Sequence, residues 1–191
     1  MIFLVLGLLL FLGTHSVRIF AEDWRSRQLA RLGEGRWKVL YSLTSLAGFI
    51  LLVWGYGMTR AAPDVWTPPE WTHYLALPLT AVSFVLIAAA NVKGTHIKAA
   101  VGHPMVLGVK VWALAHLLAN GRPGDIVLFG SLLVWAIFNY RAARKRDRLA
   151  GVTYPAGPPM RDAIALMGGL IGWAVFVMFL HRWLIGVSPL G

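Results

Sequence analysis

Cysteine is absent from these 191 residues, and that one absence removes several chemistries. Disulfides, thiolate zinc sites, iron–sulfur clusters, thiolate-ligated haem and covalent CxxCH haem attachment all require it. Acid is scarce as well: eight Asp and Glu stand against eighteen Lys and Arg, for a net charge of +10. All eight acids fall outside the long apolar runs. Proton- or sodium-coupled transporters often keep a carboxylate inside the membrane, so that class is disfavoured. Charged residues make up 14% of the chain, well below the about one quarter usual in soluble domains.

What is present is apolar side chain: 58% of residues are hydrophobic and the mean hydropathy is +0.65. Six runs predict membrane spans, at Ile2–Phe20, Val39–Met58, Tyr74–Ala90, Val101–Ala119, Ile126–Tyr140 and Ala163–Leu184. A helix rising ~1.5 Å per residue crosses ~30 Å of hydrocarbon in about 20 residues. The fifth run is short, so its ends are expected to extend into flanking sequence. The first lacks a basic leading segment, and His15 and Arg18 interrupt any cleavage site, so it reads as a retained helix. The expectation is an all-α, polytopic transmembrane bundle of about six helices, forming a single integral-membrane domain over residues 1–191.

The basic residues are unevenly placed. Arg18, Arg25, Arg27, Arg31, Arg36 and Lys38 fall in the first connection, and Lys93 and Lys98 in the third. Arg141, Arg144, Lys145, Arg146, Arg148 and Arg161 fall in the fifth. Only Arg60, Arg122 and Arg182 fall on the opposite side, and Lys110 lies inside a run. This asymmetry predicts a cytoplasmic location for the richer side and periplasmic termini. It also accounts for the net charge through membrane lipids, with no nucleic-acid partner. The loop "APDVWTPPEWTHY" carries Trp66, Trp71 and Tyr74, whose rings suit the headgroup layer. Gly168 and Gly172 form a GxxxG, with Gly169 beside them, expected to let two helices approach closely.

Intramembrane histidines are uncommon and functional by default. His116 shares a helical stripe with Met105, Val109, Trp112 and Ala113, and His15 one with Leu8, Phe11 and Leu12. A histidine from each of two helices, lined by apolar and aromatic residues, is how a bundle holds b-type haem without covalent attachment. Arg18 and Lys110 are the cations available for its propionates, although either can instead snorkel to the surface. His103 precedes Pro104, a residue suited to a first helical turn, and is a candidate to cap that helix, bind a ligand headgroup or act as a proton donor. His73 and His96 read as solvated loop groups. Packing through ordinary hydrogen bonds is the competing role for each buried histidine. Depth is a complication. His15 lies five residues from the cytoplasmic end of its run, and His116 about twelve past Pro104, a difference of roughly 10 Å. If that gap stays open, His181 is the better-placed partner for His116, and His103 the neighbour of His15.

The segments "HPMVLGVKVWALAHLLANG", "IVLFGSLLVW" and "FLGTHSVR" resemble the NnrU family of bacterial inner-membrane proteins over nearly the whole chain. That resemblance implies an association with denitrification, alongside nitrite and nitric oxide reductase systems. The family is similar in turn to 15-cis-zeta-carotene isomerase, a membrane protein that uses b-type haem. Matching its HS and LAH motifs implies His15 and His116 as haem ligands, and places the HP histidine at His103. Two departures stand out: many relatives carry Arg where this chain has Gly102, and the isomerase's cysteine before LAH is Ala113 here. The implied roles are a haem-dependent isomerase or oxidoreductase acting on a small lipophilic or nitrogen-oxide-related substrate. The alternative is a non-catalytic assembly factor for nitrogen-oxide reductases. "HPMVLG" also resembles the RHPxYxG motif of membrane methyltransferases, but "RAARKRDRL" stands where those enzymes carry acidic residues.

Overall fold

Lipid offers no partners for backbone N–H and C=O groups, so an apolar chain of this kind satisfies them within helices. A computed structural model describes residues 1–190, and among them there are helices and no strands. The helices are α1 (Ile2–Phe20), α2 (Glu22–Gly57), α3 (Glu70–Asn91), α4 (His96–Val101), α5 (Pro104–Ala119), α6 (Pro123–Leu149) and α7 (Met160–Val175). Beyond α7 the rod continues through a π turn, Phe176–Leu180, into α8 (His181–Ile185). Five helices are long and apolar enough to cross a membrane: α1, α2, α3, α6 and the rod Met160–Ile185. The sixth apolar helix, α5, has 16 residues and spans about 24 Å at ~1.5 Å per residue. The protein is a multi-pass membrane protein.

Several boundaries differ from the sequence reading. The fifth run extends in both directions, as its shortness required. The first connection is not a loop: helix resumes at Glu22 and is interrupted only at Gly33, where φ is 77°. Glu22 and Asp23 favour that start by facing the positive end of the helix dipole, and Arg25 pairs with Glu22 at 2.9 Å. The third connection likewise contains α4, capped by Thr95, whose Oγ1 accepts from the Lys98 amide at 3.0 Å. Gly102, with φ of 73°, then separates Val101 from α5.

The contacts divide the chain into two compact units. The first comprises Met1–Thr67 and Asn120–Asn139, and its main packing is α1 against α2. Glycine makes that packing possible. A Cβ on Gly48 would stand 2.6 Å from the Phe11 nitrogen, and one on Gly7 or Gly55 would overlap the backbone of Leu52 or Leu4. At the far end of this unit, the Tyr56 hydroxyl donates to the buried Asp125 carboxylate at 2.6 Å.

The second unit comprises Pro68–Ala119 and the chain from Tyr140 onward, with α3 packed on both α5 and α7. Ser83, fully buried, donates to the Gly108 carbonyl at 2.8 Å and ties α3 to α5. The α3–α7 approach corrects the GxxxG expectation. A Cβ on Gly168 would meet nothing within 4 Å, and one on Gly172 only Phe84 at 3.7 Å. Gly169 makes the close contact, against the Val85 backbone at 2.6 Å. Trp173 Nε1 adds a hydrogen bond to Thr80 at 3.0 Å.

Because backbone atoms cannot move aside, Gly55→Ala should destabilise the first unit by about 1–3 kcal/mol through overpacking. Gly13→Ala, on α1 with open space around it, should leave stability unchanged or slightly raised. Unfolding of purified protein in a denaturing detergent titration distinguishes the two; equal midpoints would exclude close α1–α2 packing.

Candidate functional site

In the first unit, His15 sits one turn above Phe11 on α1. Its Nδ1 donates to the Phe11 carbonyl at 2.7 Å. In the neutral ring the proton is therefore on Nδ1 and the lone pair on Nε2. Three aromatic rings surround the imidazole: Phe11 at 4.3 Å, Tyr41 at 5.4 Å and Trp135 edge-on at 6.0 Å between centroids. The Trp135 indole N–H is buried and has no acceptor among the described residues. Arg18, one turn further along, lies 4.0 Å from Glu22 and is largely exposed.

In the second unit, His116 repeats this local arrangement on α5. Its Nδ1 donates to the Trp112 carbonyl at 2.9 Å, and the Trp112 ring lies 4.6 Å away. Lys110, half-buried on the same helix, has no hydrogen bond or ion pair among the described residues. Metal-binding histidines characteristically donate one ring N–H to a carbonyl or carboxylate, which fixes the tautomer and aims the other nitrogen. Both histidines meet that condition, and an orphaned indole donor stands beside one of them. Each histidine, taken by itself, has the setting of a ligating imidazole. No cluster of three or more His or acidic side chains forms among the described residues, so a carboxylate-rich metal centre has no donor set.

His103 has different company. Its Nε2 lies 2.8 Å from the Asp147 carboxylate on α6, whose side chain is only 11% exposed. Tyr154 donates its hydroxyl to the same oxygen at 3.1 Å, and Arg144 Nη1 approaches it at 3.4 Å. Tyr140 secures the neighbouring backbone by donating to the Val101 carbonyl at 2.7 Å. Gly102 has a structural reason here: the Arg144 guanidinium occupies the space a Cβ would need. A cation thus stands beside His103 even though position 102 supplies none.

Asp147 lies beyond the apolar part of α6, in its basic extension. Burial pushes its carboxyl upward, but the hydrogen bond and charge of His103, the Tyr154 hydroxyl and Arg144 outweigh this and hold it below its usual range. The Tyr154 phenol is raised, by burial first and then by its bond to Asp147. Chemically this is an imidazole oriented by a charged acceptor, the arrangement that equips a histidine to carry a proton.

The sequence reading found His103 but missed Asp147, Tyr154 and Arg144. The available signal was Asp147 itself, a single acid within a run of five basic residues. His96 was expected to be solvated. It is exposed, yet it bonds Asp162 at 2.7 Å and ties α4 to α7. His73 is exposed on the first turn of α3 rather than in a loop. His181 points Nδ1 at the Val187 carbonyl, 2.7 Å away, and meets Phe176 edge-on.

Among known proteins, the family described as NnrU protein matches residues 3–189, nearly the whole chain. No curated protein and no solved structure matches it.

The Asp147 interactions predict a pH dependence. A carboxyl whose folded pKa is lowered contributes stability above the unfolded value, about 4, and loses it as pH falls through the folded value. Asp147→Asn should cost about 1.5–3 kcal/mol at pH 7, the scale of hydrogen bonds to a charged group. The gap to the unsubstituted protein should close as unfolding is measured from pH 5 downward to pH 3. A gap that stays constant to pH 3 would mean that the Asp147 charge is not what holds His103.

Proposed function

The chain belongs to the NnrU family, and from that premise we propose that it is a haem-b-binding protein of the bacterial inner membrane. His15 and His116 supply the axial nitrogens, and His103 handles protons for a reaction linked to nitrite and nitric oxide reduction. The observation that carries this reading is the shared setting of the two histidines. Each donates Nδ1–H to the carbonyl one turn back and lies against the aromatic ring of that same residue. Such placement holds an imidazole rigidly in the tautomer that metal ligation requires.

Each polar residue then has a task. Arg18 and Lys110 offer positive charge to carboxylates on the ligand. His103, oriented by Asp147, donates or accepts a proton while Arg144 and Tyr154 hold the carboxylate. Haem, when bound, supplies a one-electron couple; orientation and proton movement belong to the protein. The basic asymmetry assigns His103 to the cytoplasmic side and both termini to the periplasm. The absence of a cysteine at Ala113 argues against a thiolate-dependent isomerase route, which favours redox chemistry on a small nitrogen-oxide-related or lipophilic substrate. A second reading, an assembly factor for nitrogen-oxide reductases, draws on the ion pair of Arg18 with Glu22, which gives that arginine a partner within the protein.

Absorption spectra of the detergent-purified protein, oxidised and then reduced with dithionite, test the proposal. Sharp reduced bands of six-coordinate b-type haem are expected, lost or strongly altered in His15→Ala and His116→Ala and unchanged in His73→Ala. Colourless protein after expression with ample haem supports the assembly reading. Bleaching by His116→Ala and His181→Ala but not His15→Ala would replace one ligand.

For orientation, reporter fusions after Gly121 and after Leu149 should give periplasmic and cytoplasmic signals respectively. The same side for both would remove the proposed topology.

A further inference from the structure

We propose that the cavity of about 270 Å³ bounded by Lys93, Thr95, Lys98, Tyr154 and Arg161 binds the phosphate of an anionic lipid headgroup. Three cations line this one space, and none of them has an acidic partner among the described residues. The acid adjoining Arg161, Asp162, is committed elsewhere. It takes His96 Nδ1 at 2.7 Å and the His96 and Ile97 amides at 3.1 Å each. Three like charges around a shared cavity repel one another, and an anion between them removes that cost.

The cavity is built rather than incidental. Gly157 donates its amide to the Gly94 carbonyl at 2.8 Å, joining two loops into a floor. The Arg161 guanidinium lies over both glycines, in space that a Cβ on either would occupy, and its Nη1 donates to the Lys93 carbonyl at 3.2 Å. Tyr154 forms a wall fixed by its bond to Asp147, and Lys98 Nζ stands 5.8 Å from the centre of its ring. A planar guanidinium held in this way offers paired donors to phosphate oxygens, and the lysines add point charges.

Position identifies the occupant. Lys93 follows the apolar helix α3 by two residues, and Arg161 is the second residue of α7. The cations therefore stand where an apolar helix leaves the hydrocarbon, at headgroup depth, where basic pockets bind anionic lipid. This site does not depend on the haem reading, and its test reads only the binding of lipid and of phosphate.

The full chain in neutral detergent is titrated with dioctanoyl-phosphatidylglycerol, inorganic phosphate or uncharged dioctanoylglycerol, and binding is read as a rise in Tm. Saturable binding of phosphatidylglycerol and none of dioctanoylglycerol is expected. The Lys93→Gln/Lys98→Gln double variant should bind roughly 25-fold more weakly, at about fivefold per lysine. An Arg27→Gln/Arg31→Gln variant, with the same loss of charge in the first unit, should bind as the unsubstituted protein does. If the lysine double variant folds poorly, Lys98→Gln alone should show the fivefold effect. Displacement of the lipid by inorganic phosphate supports a contact through the phosphate itself. Lipid binding that phosphate does not displace supports recognition of the whole headgroup. Equal weakening in both double variants would reduce the effect to general charge attraction and overturn the site. Phosphate binding without lipid binding would overturn the headgroup assignment, as would the absence of saturable binding.

Discussion

A polar side chain inside an apolar helix has no water to bond, so it borrows a carbonyl from its own backbone one turn earlier. This constraint recurs along the chain. Thr14 donates to the Leu10 carbonyl at 2.7 Å, Thr44 to Leu40 at 2.8 Å and Asn91 to Ile87 at 2.8 Å. His15 and His116 obey the same rule. For a hydroxyl or an amide the outcome is only satisfaction of a donor. For an imidazole it also selects a tautomer, because the nitrogen that donates must carry the proton. The requirement that makes the fold helical therefore presents each Nε2 as a base.

The membrane spans were legible because the bilayer imposes a length and a composition that sequence displays directly. The segments between them were not. Glu22–Leu32 and α4 are too polar for a hydropathy signal, and their helices depend on capping and ion pairs such as Arg25–Glu22. The glycines show a similar limit. The spacing of Gly168 and Gly172 satisfied a motif, but only the rotation of α7 decides which small residue faces α3, and that residue is Gly169. Sequence spacing defines a stripe; packing chooses the stripe that is used.

The candidate site divides in the same way. His15, His103 and His116 could be picked out because ionisable groups are rare beside apolar sequence. Their partners could not, since Asp147 and Tyr154 lie 44 and 51 residues from His103. Electrostatics explains why a single acid persists in that basic run. Arg144 and His103 both offer positive or donor groups to Asp147, so the carboxylate is compensated on two sides. Replacing it by a neutral residue would leave the local charges to repel without a counterion. Gly102 belongs to the same solution, because a side chain there would displace the Arg144 guanidinium.

Pre-organisation also ranks the intramembrane histidines as ligands. His15 and His116 take both the acceptor and the flanking ring from a single residue four positions earlier, so each is fixed by a turn of its own helix. His181 instead donates to Val187, beyond the left-handed Gly186 that ends α8. Its orientation rests on a carbonyl outside its own helix, and it follows a π turn that shifts its register on the helix. A side chain held by its own helix pays less ordering entropy on binding than one held by a non-helical segment. On that physical ground His15 and His116 are each held more firmly than His181.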